Sequence, residues 1–365
     1  MLRVLLWLTS LYACVLGVDL DFAVVGGELF SRINSEFEDR GDHALYTLVQ
    51  VLAEGGVPDV RASMGNLQSD ALQLETFSMW RPPNATAPLL WPDHDYSGWA
   101  FAWIPPHDVV AHELARHMPT WEHRNRDVFW SGAGLNNLRR KFGDCSTQHP
   151  ESIYADFIKW DNLRSDVNLP FVKTGERTKP MDADLRKLTQ HKFLIYLWGN
   201  SWSSSLKRLA AAGAVLLLPE RDPFESWASL SLRRCRDCFL LYDAENICES
   251  VQAAVGKVSD EAAQAMAQRL NAFTMAELSE ASARRFIRDQ LNELGARQPL
   301  TNITVLPGIS VTFADGLILP HITCGGIKVA HKKKLGQGLE WQVDAWLDDN
   351  CTARPVPYLG LLPLR

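Results

Sequence analysis

The chain has 365 residues and a formal net charge of −6 at neutral pH. That length exceeds one typical hydrophobic core and points to two domains. The acidic balance and scattered Lys and Arg exclude the basic stripe that nucleic-acid binding needs, so no nucleic-acid partner is expected.

Met1, Leu2 and Arg3 lead into an apolar run from Val4 to Leu16, then Gly17 and the acidic stretch Asp19 to Asp21. A cation, about a dozen apolar residues and then small ones make the pattern of a cleaved signal peptide, here residues 1–17. A spanning helix needs roughly 20 apolar residues, and no later segment reaches that. The expectation is a protein of the secretory pathway, in the endoplasmic reticulum or Golgi lumen or secreted, with no membrane span after cleavage. Cys145, Cys235, Cys238, Cys248, Cys324 and Cys351 follow the leader, and an even number in an exported chain favours disulfides whose pairing the sequence leaves open. Cys235 and Cys238 run into an apolar strand and not onto a helix N-terminus, where a thiolate would be stabilised, so they read as a structural bridge. Asn84, Asn302 and Asn350 head three N-glycosylation sequons.

In chain order, the pattern predicts a helix over 43–53, strands at 59–62 and 89–91, a helix over 108–117 and a strand at 127–130. A polar, Pro-containing stretch at 150–185 suggests the domain boundary, giving lobes 18–165 and 166–300. Phe193 to Trp198 reads as a buried strand, Gly199 to Ser201 as a turn, Ser203 to Gly213 as a helix and Ala214 to Leu218 as the next strand, one βαβ unit. A strand at 239–242 and a helix over 244–255 continue the alternation. Ser259 caps a further helix, and Thr274 with Glu277 reads as a capping box opening another that Gly295 ends. Short strands and turns fill 301–365. The class is α/β.

Turns joining a strand's carboxyl end to a helix are where such sheets hold phosphate-bearing ligands. Gly199-Asn200-Ser201-Trp202-Ser203-Ser204-Ser205 lies at one, with Lys207 and Arg208 beside it. Phe129-Trp130-Ser131-Gly132-Ala133-Gly134 lies at another, ahead of Arg139, Arg140 and Lys141.

Phe129 to Ala133 (FWSGA) and His191 to Glu220 (HKFLIYLWGNSWSSSLKRLAAAGAVLLLPE) resemble segments of glycosyltransferase family 90, which holds the Rumi-type protein O-glucosyltransferases and the fungal capsule xylosyltransferases. The likeness extends from about Trp91 to Leu294. It implies a GT-B fold, two Rossmann-like lobes facing across a cleft. A UDP-sugar donor would bind the C-terminal lobe without an essential metal or cofactor, with a protein or glycan hydroxyl as acceptor. The family inverts the anomeric centre, using a carboxylate as general base. Its D-x-x-x-P-x-W segment corresponds to Asp93 through Trp99, which makes Asp93 the base and Asp95 and His94 lesser candidates; Ser97 replaces the proline. Ser131, Gly132, Gly199, Ser203, Ser205 and Lys207 would line the donor site.

Two departures stand out. Ser131 and Ser205 occupy positions where the family carries arginines, and a hydroxyl cannot replace a bidentate, permanently charged guanidinium. Lys207, Arg139 or Arg140 are the candidate substitutes. The same departures support a rival reading, a non-catalytic lumenal glycan- or protein-binding module. His107, His112, His117 and His123 step by five, five and six residues and do not converge on one helix face, so no metal site is expected. The run His331 to Lys334 reads as solvated. Trp99, Trp103, Trp202 and Trp227 are candidates to stack on a sugar or uracil ring.

Overall fold

The computed structural model describes residues 18–33, 38–65, 76–85, 89–93, 96, 106–132, 134, 136–157, 180–199, 201–297, 299–306, 309–322, 328–335, 338–347 and 353–355. The expected signal peptide, His94, Asp95, Trp99, Trp103, Cys324, Asn350 and Cys351 lie outside these. The chain divides at 101/102 and 282/283 into two compact units.

The first unit begins with a hairpin, β1 (Val18–Val25) and β2 (Glu28–Ile33). Gly26 and Gly27 have φ of 60° and 83°, the left-handed pair that a two-residue turn between twisted strands requires. Leu20, Phe22 and Val24 alternate along β1 and are buried. A mixed sheet follows in the order β2-β1-β3-β4-β5, with β3 at Val60–Gly65, β4 at Thr76–Ser78 and β5 at Leu89–Leu90. β3, β4 and β5 run parallel. Phe22, Phe77 and Trp91 close its aromatic core. The helix Glu38–Ala53 covers the sheet, and Glu54 at its end pairs with Arg284 (2.6 Å). Gly295 does not end its helix, which runs Glu280–Arg297. It is instead a close-approach residue, since a Cβ there would meet Pro58 Cγ at 2.6 Å. A small antiparallel sheet, β11 (Thr304–Leu306), β12 (Ser310–Thr312) and β13 (Ile318–Pro320), completes this unit. Its inner residues Val311 and Leu319 pack with Ala23 and Phe30 of the hairpin.

The second unit holds a parallel sheet in the order β10-β9-β8-β6-β7. Its strands are β6 (Asn125–Gly132), β7 (Ile153–Phe157), β8 (His191–Ile195), β9 (Val215–Pro219) and β10 (Phe239–Tyr242). β8 and β9 are buried residue for residue, as a strand covered on both faces must be. The expected lobe boundary at 165/166 is corrected here: β6 pairs with β8, Val128 opposite Phe193, so the segment carrying β6 and β7 belongs with the later strands. The polar stretch that suggested the boundary separates two strands of one sheet. The helices Asn137–Gln148, Ile247–Gly256 and Asp260–Glu277 pack against this sheet around Phe142, Val251 and Ala267. Cys145 bonds Cys248, tying two of these helices, and Cys235 bonds Cys238.

Ser259 caps its helix as expected, accepting from Ala262 N. Thr274 does not start the next one. It is buried inside the first helix with its hydroxyl on Leu270 O (2.8 Å), and Ser279 makes the cap to Ser282 N. The run His331 to Lys334 lies in β14 (Lys328–Leu335), which with β15 (Gly338–Leu347) and β16 (Ala353–Pro355) forms a further three-stranded sheet. No described helix is long and apolar enough to cross a membrane.

Candidate functional site

From β6 the chain passes outward to β7, then returns to β8 on β6's other side and continues to β9 and β10. The strand order therefore reverses between β6 and β8, and the carboxyl ends flanking such a reversal are where open α/β sheets seat ligands. Asn136 and Arg139 bridge this crevice. Asn136 caps the helix Asn137–Gln148 through Oδ1, accepting from Arg139 N (3.0 Å), while its Nδ2 donates to Trp198 O (2.8 Å) and Gly199 O. Arg139 Nε donates to Trp198 O (2.9 Å), Nη2 to Leu197 O (3.1 Å), and its guanidinium lies over the Trp130 ring. Burial pulls its pKa below the usual arginine value, against a smaller opposing effect of Tyr196.

The serine-rich turn is fastened from beneath. Ser203 N donates to Tyr196 Oη (3.1 Å), Ser203 and Ser205 share a hydroxyl bond (2.9 Å), and Tyr242 Oη donates to Tyr196 O (2.8 Å). Desolvation raises the Tyr242 pKa well above the phenol's ordinary value, helped by Tyr196 and Asp222. Asp222 follows β9 and is 8% exposed. Its carboxylate accepts from Phe224 N (3.0 Å). Burial lifts its pKa to about 6, against the smaller opposing effects of the Phe224 N–H and Arg233.

Beside this network lies a cavity of about 700 Å³, lined among others by Asn136, Lys141, Trp198, Arg221, Asp243 and Glu245. The start of the helix Asn137–Gln148 lies along it, so peptide N–H groups and partial positive charge reach its wall.

Ser131 is the last residue but one of β6, and its hydroxyl is buried without a hydrogen-bond partner among the described residues. Gly132 is demanded by packing, since a Cβ would meet the Trp130 ring at 2.7 Å, whereas Gly199 has room for one. Ser203 and Ser205 are half-buried in the turn. Lys207 is 1% exposed and its amine donates to Ser204 O (3.1 Å), so it faces inward. Trp202 is half-buried, while Trp227 is core. Asp93 belongs to the first unit, three residues beyond β5, with 6% exposure; its carbonyl accepts from Tyr96 N. Sequence reasoning missed the network of Tyr196, Tyr242 and Asp222. Only the position of each at or shortly after the carboxyl end of a strand could have signalled it.

The sheet and its crevice thus define an α/β protein with a cavity at the carboxyl edge of parallel strands. Residues 52–303 match the family model described as Glycosyl transferase family 90, and the chain belongs to that family. It is a glycosyltransferase, and the family implies a nucleotide-sugar donor and an acceptor. Comparison with curated proteins returned no match.

Proposed function

We propose that the protein transfers glucose, xylose or a related sugar from a UDP donor to a protein or glycan hydroxyl, by inversion and without a metal, in the endoplasmic reticulum or Golgi lumen. The observation that carries the donor half is the 700 Å³ cavity at the strand-order reversal, within the family-matched span. In this reading the diphosphate meets the N–H groups opening the helix Asn137–Gln148, with Lys141 and Arg221 at the lip. Ser131, Gly132, Gly199, Ser203 and Ser205 lie in the neighbouring turns outside the residues that line the cavity, as small, neutral residues at the strand ends, and Lys207 supports its turn from below.

The acceptor half is a GT-B reading, in which a second lobe presents Asp93. Asp93 takes the proton of the acceptor hydroxyl as its oxygen attacks the anomeric carbon. The bond from that carbon to the diphosphate oxygen breaks, and UDP leaves from the opposite face with the electron pair. The family match favours this enzyme over the non-catalytic module.

The test is calorimetric titration of the mature protein with UDP, beside Asp93→Asn and Ser205→Arg variants, followed by a screen of UDP-sugars. The expected result is UDP binding by the parent and by Asp93→Asn, with transfer lost only in the latter. Ser205→Arg should tighten UDP binding roughly tenfold, the worth of one charge-assisted contact. A parent protein that neither binds UDP nor consumes any UDP-sugar would sink the proposal.

A further inference from the structure

The outward face of the small sheet of the first unit sets the exposed apolar side chains Leu306, Ile318 and Pro320 among the hydroxyl-bearing Thr304, Ser310 and Thr312. Leu306 and Ile318 are 50% and 55% exposed, and Ile309 in the turn before β12 is 66% exposed, while on the opposite face Val311 and Leu319 are buried and Val305 is partly so. Cross-strand register places Thr304, Thr312 and Ile318 in one row and Leu306, Ser310 and Pro320 in the next. Strands lie about 4.8 Å apart, so Ile318 is about 10 Å across the face from Thr304. β11 is also an edge of its sheet among the described residues, and an apolar edge strand is a template for pairing with another chain.

Asn302-Ile303-Thr304 is a sequon that runs directly into this edge. Asn302 is exposed, and its φ of 55° makes it a turn residue in the left-handed conformation that asparagine tolerates. Thr304 is exposed on the same face as Leu306 and Ile318. We propose that Asn302 is N-glycosylated and that its glycan lies over the Leu306 and Ile318 face, shielding the free edge of β11. The donor is a lipid-pyrophosphate-linked oligosaccharide. Asn302 Nδ2 forms the bond to its anomeric carbon and gives up one proton, the bond from that carbon to the phosphate oxygen breaks, and the lipid pyrophosphate leaves with the electron pair. A bulky hydrophilic chain anchored two residues from the edge raises the cost of a second strand docking there. The inference requires entry into the secretory pathway, as the residues 1–17 suggest, but not the transferase activity proposed above.

The experiment uses the full chain secreted from a eukaryotic host. Enzymatic removal of N-glycans in heavy-oxygen water marks each occupied asparagine by mass, so Asn302 is read separately from Asn84 and Asn350. The mark should appear at Asn302, persist in Thr304→Ser, and vanish in Thr304→Ala and Asn302→Gln. Asn302→Gln should also shift from monomer to aggregate in size-exclusion chromatography. Adding Leu306→Thr and Ile318→Thr to that variant should restore the monomer without the glycan. An unmarked Asn302 would overturn the modification. A marked Asn302 whose removal leaves the monomer fraction unchanged would overturn the shielding.

Discussion

Asp222→Asn tests the network beneath the serine-rich turn. Asp222 keeps its negative charge at neutral pH in a site that disfavours it: burial pushes its pKa up to about 6 from the ordinary 3.8. A shift of about 2 units corresponds to about 3 kcal/mol of unfavourable difference between the charged carboxylate folded and unfolded. Because the folded pKa is raised, the favourable contribution is fully present below pH 3.8 and is lost as pH rises through about 6. Asparagine carries no charge yet retains Oδ1 to accept from Phe224 N. Allowing for the new amide's own need for an acceptor, the variant should gain about 2 kcal/mol at pH 7.5, a rise in Tm of roughly 4–8 °C. Near pH 5 the gain should shrink to roughly a third, because the parent's carboxyl is then largely protonated when folded while the amide's cost is unchanged. Urea unfolding of both proteins at pH 5 and 7.5 reads the difference directly. A variant equally displaced at both pH values, or less stable at pH 7.5, would refute the reasoning.

Replacing both Cys145 and Cys248 by alanine opens a crosslink spanning 103 residues and should cost about 2–5 kcal/mol, seen as a lower urea midpoint. Gly295→Ala should destabilise by about 1–3 kcal/mol, because Pro58 or the helix must move to admit the methyl group; a Gly295→Ala variant with the parent's midpoint would contradict the contact. Asn136→Asp keeps the helix cap but loses the amide donor to Trp198 and Gly199. It should lower stability by about 1–2 kcal/mol and weaken UDP binding, whereas a purely capping role for Asn136 would leave both unchanged.

The parts of the fold written in local pattern were legible. The βαβ unit around β8 and β9, the cap at Ser259 and the strand at Phe239 to Tyr242 follow from periodicity and from one or two neighbouring residues. The hairpin of β1 and β2 was equally local, with alternating Leu20, Phe22 and Val24 and a Gly-Gly turn, but it lay against the apolar leader and was overlooked. The capping box at Thr274 failed for a different reason. Its spacing is correct, yet burial of Thr274 lets the helix run on and turns its hydroxyl back onto Leu270. The polar network was beyond reach, because Tyr242 meets Tyr196 across 46 residues of sequence. Two buried phenols beside a carboxylate are assembled by the sheet's topology and leave no pattern in any one segment.

That topology also decides how the missing arginines could be replaced. Of the candidate substitutes Arg139 is nearest in sequence to Ser131, but its guanidinium already serves the Leu197 and Trp198 carbonyls that link β8 to the helix after β6. Swinging it toward a diphosphate would strip the buried Leu197 carbonyl of this donor and leave Trp198 O to Asn136 alone, at about 1–3 kcal/mol for the unpaired acceptor, which is comparable with all that one charge-assisted contact returns. Lys207 is held in the same way by Ser204 O and by its burial. Both cations therefore hold the crevice in shape and leave its charge to others. Positive charge facing the cavity comes from Lys141 and Arg221 on its wall and from the helix N–H groups between them, opposed by Asp243 and Glu245. A donor site charged from its rim and neutral at its serine-rich turn should lose affinity with added salt more steeply than one closed around a buried guanidinium.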